Sequence, residues 1–294
     1  MGARMAPDIA IASSQLSAAI SPQGAELRAL STSAGAQLLW NGDPAFWTGR
    51  APILFPVIGE LADGVYRYDG RVYAMPKHGF ARRSTFTVIT AEADRAVLRL
   101  SANAATRAVY PFEFALDLEY ALDGAQLTMA ATITNHGTRA MPASFGFHPA
   151  LRWPLPFGAA RAAHRLLFAQ AEPAPVRRID ARGLLRPEPE PSPVTGNRLD
   201  LRDDLFNDDA LIFGQPVSRA VSYGADHGPQ LRVGFADFPA LGVWTKPGAG
   251  FVCIEPWQGC ADPAGFSGDI RDKPGIMLVE PGAARRLAMT IALA

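Results

Sequence analysis

Phe112-Glu113-Phe114-Ala115-Leu116-Asp117-Leu118-Glu119-Tyr120 places apolar side chains at every second position, with three acids between them. That period belongs to a strand with one face on a core and the other in water, the signature of an antiparallel sheet. Asp123-Gly124 then turns the chain into Leu127-Thr128-Met129-Ala130-Ala131-Thr132-Ile133, which Asn135-His136-Gly137 closes. His136 belongs to that turn and is assigned no role. Upstream, Thr85–Ile89 and Ala96–Leu100 repeat the alternation.

Nearer the N-terminus, Ile9–Ile11, Gln15–Ile20, Ala25–Leu30 and Gln37–Trp40 read as short strands. Ser21-Pro22-Gln23-Gly24 and Asn41-Gly42-Asp43-Pro44 punctuate them. Tyr66-Arg67-Tyr68 and Arg71-Val72-Tyr73 flank Asp69-Gly70, the clearest two-residue hairpin signal in the chain. Downstream, Leu211–Phe213, Ala220–Tyr223, Gln230–Phe235, Leu241–Thr245 and Arg286–Leu293 are further strands. No long amphipathic helix intervenes, so the prediction is an all-β fold, a large antiparallel β-sandwich in one domain over residues 1–294.

Lys+Arg and Asp+Glu number 28 each, which leaves no net field to draw a polyanion and argues against nucleic acid as a partner. Lysine occurs only at 77, 246 and 273. Cys253 and Cys260 fit no zinc or dithiol spacing and suit a reducing compartment. Met1–Ala6 carries no myristoylation signal, and Asp8 interrupts the start of any signal-peptide core. No window reaches the roughly 18 apolar residues of a membrane span. These features predict a cytoplasmic protein without membrane association, a monomer or weak homodimer.

Three stretches depart from the strand pattern. Phe46 to Glu60 holds Pro52 and Pro56, which rule out a regular helix, and its apolar density predicts a buried irregular segment that shapes a site. Phe157 to Asp204 is irregular, and Pro187-Glu188-Pro189-Glu190-Pro191-Ser192-Pro193 reads as an extended surface loop. In Phe251-Val252-Cys253-Ile254-Glu255-Pro256-Trp257 an apolar run delivers one carboxylate to a proline, where the strand is expected to end. A carboxyl beside Trp257 loses hydration, which raises its pKa and makes it a stronger base; the alternative is a turn cap or a partner for one of the arginines.

His148, in Gly146-Phe147-His148-Pro149, repeats the arrangement of Glu255 at a strand end before a proline. The two could face each other as acid and base, or His148 could be a satisfied core residue. His78, between Lys77 and Gly79, sits on a tight turn with its ring either toward a ligand or in solvent. Asp208 and Asp209 enter a strand, where either could cap a turn. Phosphate loops, the Gly-x-Ser-x-Gly elbow and His-Glu-x-x-His are absent. What remains is a groove with two histidines, an aspartate and a glutamate, edged by Trp47, Trp244 and Trp257. Aromatic faces with a few polar groups are what a pyranose ring requires.

Lys77-His78-Gly79-Phe80-Ala81-Arg82, Gly146-Phe147-His148-Pro149-Ala150, Asp209-Ala210-Leu211 and Cys253-Ile254-Glu255-Pro256-Trp257, in this order, resemble the aldose 1-epimerase (galactose mutarotase) family in its bacterial LacX-like branch. Ser21–Leu27 and Ala51–Pro56 match as well. The resemblance implies a sugar cleft on a β-sandwich and interconversion of the α and β anomers of a free aldose. It implies Glu255 as the base on the C1 hydroxyl and His148 as the acid on the ring oxygen. His78 would bind near the ring oxygen and Asp209 would hold hydroxyls, with Trp257 at the sugar and neither metal nor organic cofactor. Many relatives carry an arginine just after the Phe-Pro segment where this chain has Glu60, so Arg50 or Arg82 is expected to replace it. Two other readings stay open, a hexose-6-phosphate mutarotase using Arg82-Arg83 and a non-catalytic sugar-binding protein on the same scaffold.

Overall fold

A computed structural model describes residues 7–294, so the reading of Met1–Ala6 falls outside the described residues. The decisive stretch forms the strand Phe114–Asp123, paired with Gln126–Asn135 through the Gly124 turn and with Arg95–Ser101 on its other side. Leu116, Leu118 and Tyr120 are fully buried. On the wet face Asp117 meets Arg99 at 2.5 Å and Glu119 meets Arg95 at 2.8 Å, cross-strand ion pairs. Such exposed pairs fix which strand lies opposite while adding little energy, about 0–1 kcal/mol each.

These strands are part of a nine-stranded antiparallel sheet. Its order is Arg198–Asp200, Arg165–Phe168, Ala220–Gly224, Leu231–Gly234, Ala284–Leu293, Gln126–Asn135, Phe114–Asp123, Arg95–Ser101 and Thr87–Ala91. A second sheet runs Leu211–Phe213, Ala240–Trp244, Phe251–Gln258, Phe145–Phe147 and Ile53–Leu54, and Ala150–Arg152 also pairs with Phe251–Gln258. One continuous apolar core joins them: Leu116, Leu127 and Met129 from the first, Leu241, Val252 and Ile254 from the second. The fold is therefore the all-β antiparallel sandwich expected. The Asp69-Gly70 hairpin forms between Val65–Tyr68 and Arg71–Ala74 with positive φ at both turn residues. No helix among the described residues is long and apolar enough to cross a membrane.

Three local readings are corrected. Gln37 to Trp40 is not a strand; Gln37 and Leu39 make isolated bridges to Ser31 and Leu151. The third N-terminal strand begins at Leu27, because Gly24 and Ala25 both take positive φ and cannot lie in a ladder. The Glu255 strand does not stop at Glu255 but continues through Pro256 to Gln258. Its neighbour is interrupted there: Gly146 pairs with Trp257 and Ala150 with Cys253, so in the same register Phe147, His148 and Pro149 lie opposite Pro256, Glu255 and Ile254. The Ile254 N–H points to this side, toward the Pro149 carbonyl, and two residues on Pro256 faces the same way without an N–H to give.

The second sheet has two buried faces. Val252 and Ile254 enter the main core, while Phe251, Cys253, Glu255 and Trp257 line the opposite face. The Trp257 indole lies across its neighbours only because they are glycines: a Cβ on Gly242 would come within 2.6 Å of the ring and one on Gly146 within 2.7 Å. Gly242→Ala is expected to destabilise the protein by about 1–3 kcal/mol through overpacking and to shift the tryptophan fluorescence as the indole moves. Urea unfolding followed by fluorescence checks this, and unchanged stability with an unchanged spectrum would refute the packing argument.

Candidate active site

The outer face of the second sheet is the floor of a cavity of about 250 Å³. Glu255 reaches it from the middle of its strand, 1 % exposed. His148 reaches it from the unpaired residues beside Pro256, and its Nε2 lies 3.2 Å from Glu255 Oε2. With Gly146 opposite Trp257 and Ala150 opposite Cys253, His148 falls opposite Glu255, and cross-strand neighbours on one face meet. Trp47 covers His148 with ring centroids 5.0 Å apart, and Trp244 meets it edge-on at 5.9 Å.

Burial sets the charge of this pair. It pushes the Glu255 carboxyl well above the usual carboxylate range, reinforced by the nearby Asp209 charge. The Trp257 indole N–H, which makes no aligned bond to any protein acceptor, tempers the rise, as do Lys77 and Arg82. His148 is pushed the other way, down to about 3, by burial first and then by Arg82. Both groups favour their neutral forms, so the pair holds one proton over a wide pH range. Glu255 Oε2 and His148 Nδ1 are buried without an aligned protein partner. Buried polar atoms are rarely left so unless another molecule uses them.

His78 lies on the adjacent wall, its ring 6.0 Å from that of His148. It is buried, not a solvent-facing turn histidine, and its φ is +63°. The Gly59 N–H donates to its Nδ1 at 3.0 Å, so the neutral ring carries its proton on Nε2. Burial and the neighbouring cations hold its pKa well below the ordinary histidine value. His78 is therefore a neutral hydrogen-bond donor.

Asp209 lines the cavity on a turn with φ +64° and accepts the Ala210 N–H at 2.7 Å. Asp208 lines only the outer chamber of the cleft. Asp209 is held from behind by Arg178, 8 % exposed, which donates to the Asp209 carbonyl at 3.0 Å and the Leu205 carbonyl at 2.9 Å. The same guanidinium meets Glu190 at 3.1 Å. The Pro-rich segment thus lies outside the inner cavity yet supports it through Glu190. No local pattern in the sequence separates Arg178 from the other arginines.

The structure brings Glu255, His148, His78, Asp209, Arg82 and Trp257 to one cavity and leaves Arg50 out. Arg50 points away, its guanidinium donating to the Arg28 carbonyl at 2.7 Å. Arg82 lies on the cavity wall without an ion-pair partner among the described residues, as does Lys77, whose place inside the His78 motif was the signal for it. Glu60 lines the outer chamber, which shares Lys77, Asp209 and Trp244 with the inner one. Ligand atoms of His148, Cys253 and Glu255 lie within 4.8 Å of one another, the one such trio among the described residues. Burial raises the Cys253 thiol well above its usual value, and the cavity opens on His148 and Glu255 without reaching Cys253. That donor set suits an acid–base pair over a packing thiol better than a metal.

The sequence profile of the family described as Aldose 1-epimerase matches residues 7–276. The chain belongs to the aldose 1-epimerase family. Its relatives include the chromosomally encoded Protein LacX of Lactococcus lactis subsp. lactis, 32 % identical over 269 residues, covering 88 % of this chain and 90 % of the relative. A galactose mutarotase-like protein from Lactobacillus casei shares 30 % identity at a TM-score of 0.90, over 98 % of this chain and all of the other. A galactose mutarotase related enzyme from Lactobacillus acidophilus follows at 29 % and 0.89, covering 98 % and 97 %. Membership of the aldose 1-epimerase family and these mutarotase-like neighbours agree with a mutarotase type of function.

Arg178→Met is expected to cost about 2–3 kcal/mol, since it leaves one buried and one part-buried carbonyl without a charged donor, and to open the Pro-rich segment to limited proteolysis. Arg186→Met removes a more exposed pair to Glu190 and should cost under about 1 kcal/mol. Equal losses in urea unfolding would rule out Arg178 as the anchor.

Proposed function

We propose that this chain is a mutarotase for a free hexose, with Glu255 and His148 as its acid–base pair. The observation that carries this is the contact of 3.2 Å between His148 Nε2 and Glu255 Oε2, buried at the floor of a cavity with indole walls. The reacting form is the ion pair, reached from the neutral pair by moving one proton from the carboxyl to the imidazole. The Glu255 carboxylate takes the proton of the C1 hydroxyl while the His148 imidazolium gives its proton to the ring oxygen, and the C1–O5 bond breaks. The aldehyde turns about C1–C2 and O5 attacks its other face. His148 recovers its proton and Glu255 returns one to the new C1 hydroxyl, as microscopic reversibility requires.

His78 Nε2–H suits a second donor near the ring oxygen, and Asp209, Lys77 and Arg82 suit the remaining hydroxyls. The apolar faces of Trp47, Trp244 and Trp257 would exclude water, which strengthens each of these contacts. Arg82 takes the place of the arginine that many relatives carry where this chain has Glu60.

Polarimetry of freshly dissolved α-D-glucose and α-D-galactose tests the assignment. The protein is expected to accelerate anomerisation of at least one, with Glu255→Gln and His148→Asn each lowering kcat by about 10²–10⁴-fold. No acceleration of either sugar, or full activity in Glu255→Gln, overturns it.

The pH profile should be that of a pair sharing one proton. Loss of that proton is delayed by the raised carboxyl, so activity persists well above the carboxylate range. Gain of a second is delayed because His148 is held down to about 3. The acid limb of kcat/KM is therefore expected far below the ordinary histidine pKa of about 6.5. An acid limb at that ordinary value would contradict the buried pair.

A further inference from the structure

His78 owes its tautomer to one backbone group, the N–H of Gly59, and that group is fixed by a buried ion pair outside the cavity. Gly59 and His78 bond reciprocally: Gly59 N–H donates to His78 Nδ1, and His78 N–H donates to the Gly59 carbonyl, both at 3.0 Å. Both residues have positive φ, +68° and +63°, so neither turn is one that the chain adopts by default. Gly59 is pressed against Ala261, whose Cβ would stand 2.5 Å from any Cβ added at 59. The next residue, Asp262, grips the segment after Gly59 at both ends. Its N–H donates to the Glu60 carbonyl at 2.9 Å, and its Oδ2 accepts the Ala62 N–H at 2.9 Å. Its other oxygen lies 2.8 Å from Lys273 Nζ, with side chains 5 % and 1 % exposed.

We propose that Asp262, neutralised by Lys273, is a positioning residue for His78: it clamps Glu60-Leu61-Ala62 so that Gly59 presents its N–H to Nδ1 and leaves the His78 proton on Nε2. Asp262 lines neither the inner cavity nor its outer chamber, and its carboxylate reaches the site through the Glu60–Ala62 segment that follows Gly59, while its backbone carbonyl accepts the Leu185 N–H. A buried aspartate carries this task because one carboxylate accepts a backbone N–H and a charged partner together. Lys273 makes the buried charge tolerable, since an unpaired buried carboxylate carries a large desolvation cost. One of only three lysines in the chain is spent on this contact.

The proposal rests on His78 donating from Nε2 to the sugar, and its test separates the two claims. Nitrogen NMR of the imidazoles in the sugar-free protein reads the tautomer directly. The wild type is expected to show His78 with a protonated Nε2 and an accepting Nδ1. The double variant Asp262→Ala/Lys273→Met, which removes the carboxylate end of the clamp without stranding a charge and keeps the backbone bond to Glu60, is expected to mix both tautomers. Its kcat/KM should fall between about tenfold and a hundredfold, as for a reacting group displaced by about an ångström. Asp262→Asn/Lys273→Met keeps an oxygen for the Ala62 N–H and should retain the tautomer and most of the activity. Should the Ala/Met variant not fold in a thermal melt, Asp262→Ser/Lys273→Met, whose side chain is too short for the bond, is read in the same way. An unchanged His78 tautomer in the clamp-free protein, or an Asn/Met variant as impaired as the clamp-free one, overturns the proposal. A wild type that anomerises no sugar would sink the functional reading and leave the tautomer result to stand alone.

Discussion

The strand Phe251–Gln258 is buried on both faces, and most of the molecule is arranged around that fact. A strand alternates its side chains, so one face can serve the core while the other serves a site with no compromise between them. Val252 and Ile254 belong to the core shared with the nine-stranded sheet, and Glu255 and Trp257 to the site, with Cys253 packed beneath it. A core packed near crystal density lets the aliphatic half hold the other half still. The cost of placing a carboxyl there is its hydration, and that loss is what lifts its pKa. Stability on one face and chemistry on the other come from the same desolvation.

The same strand shows how a local rule and a tertiary arrangement can be satisfied together. Proline in an interior strand removes a ladder bond. Gly146 opposite Trp257 and Ala150 opposite Cys253 keep one register across the interruption, so Phe147 faces Pro256 and Pro149 faces Ile254, whose N–H its carbonyl accepts. His148 thereby falls opposite Glu255 on the same face of the sheet, and the imidazole lies 3.2 Å from the carboxyl group. The ladder lapses at the two prolines, and the register it keeps brings the two titratable groups together.

Much of this was legible in the sequence, and the exceptions have common causes. The alternation at Phe112–Tyr120 and the Asp-Gly turns are local signals, and the strands they announce form with the expected face buried. Glu255 and His148 stand out because polar residues interrupt apolar aromatic runs. Pro256 misled because the rule for proline depends on what lies opposite, which only pairing decides. The sequence does not decide between Arg50 and Arg82; the fold sends Arg50 to the Arg28 carbonyl and Arg82 to the cavity wall. Arg178 and Asp262 gave no signal at all, because each bonds backbone atoms remote in sequence, as the separation of 200 positions between Ala62 and Asp262 illustrates, and Lys273 gave none because its role depends on Asp262.

The groups of the cavity fall into two kinds by what holds them. Glu255 is carried by the sheet itself and His148 by the gap within it, so their relative position is fixed by core packing. His78 and Asp209 stand on turns with φ of +63° and +64°, conformations that cost energy for residues other than glycine. Each is secured by a buried charged residue: Asp262 with Lys273 behind the His78 turn, and Arg178 behind Asp209. Strain of this sort persists only where surrounding bonds over-determine it, which is why the supports are charged and buried rather than apolar. Anomerisation asks the same acid and base of every aldose, while the hydroxyl pattern differs from one sugar to the next. A scaffold that places the Glu255–His148 pair on sheet and the other polar groups of the cavity wall on braced turns can vary that wall by altering a brace or a turn, without disturbing the pair.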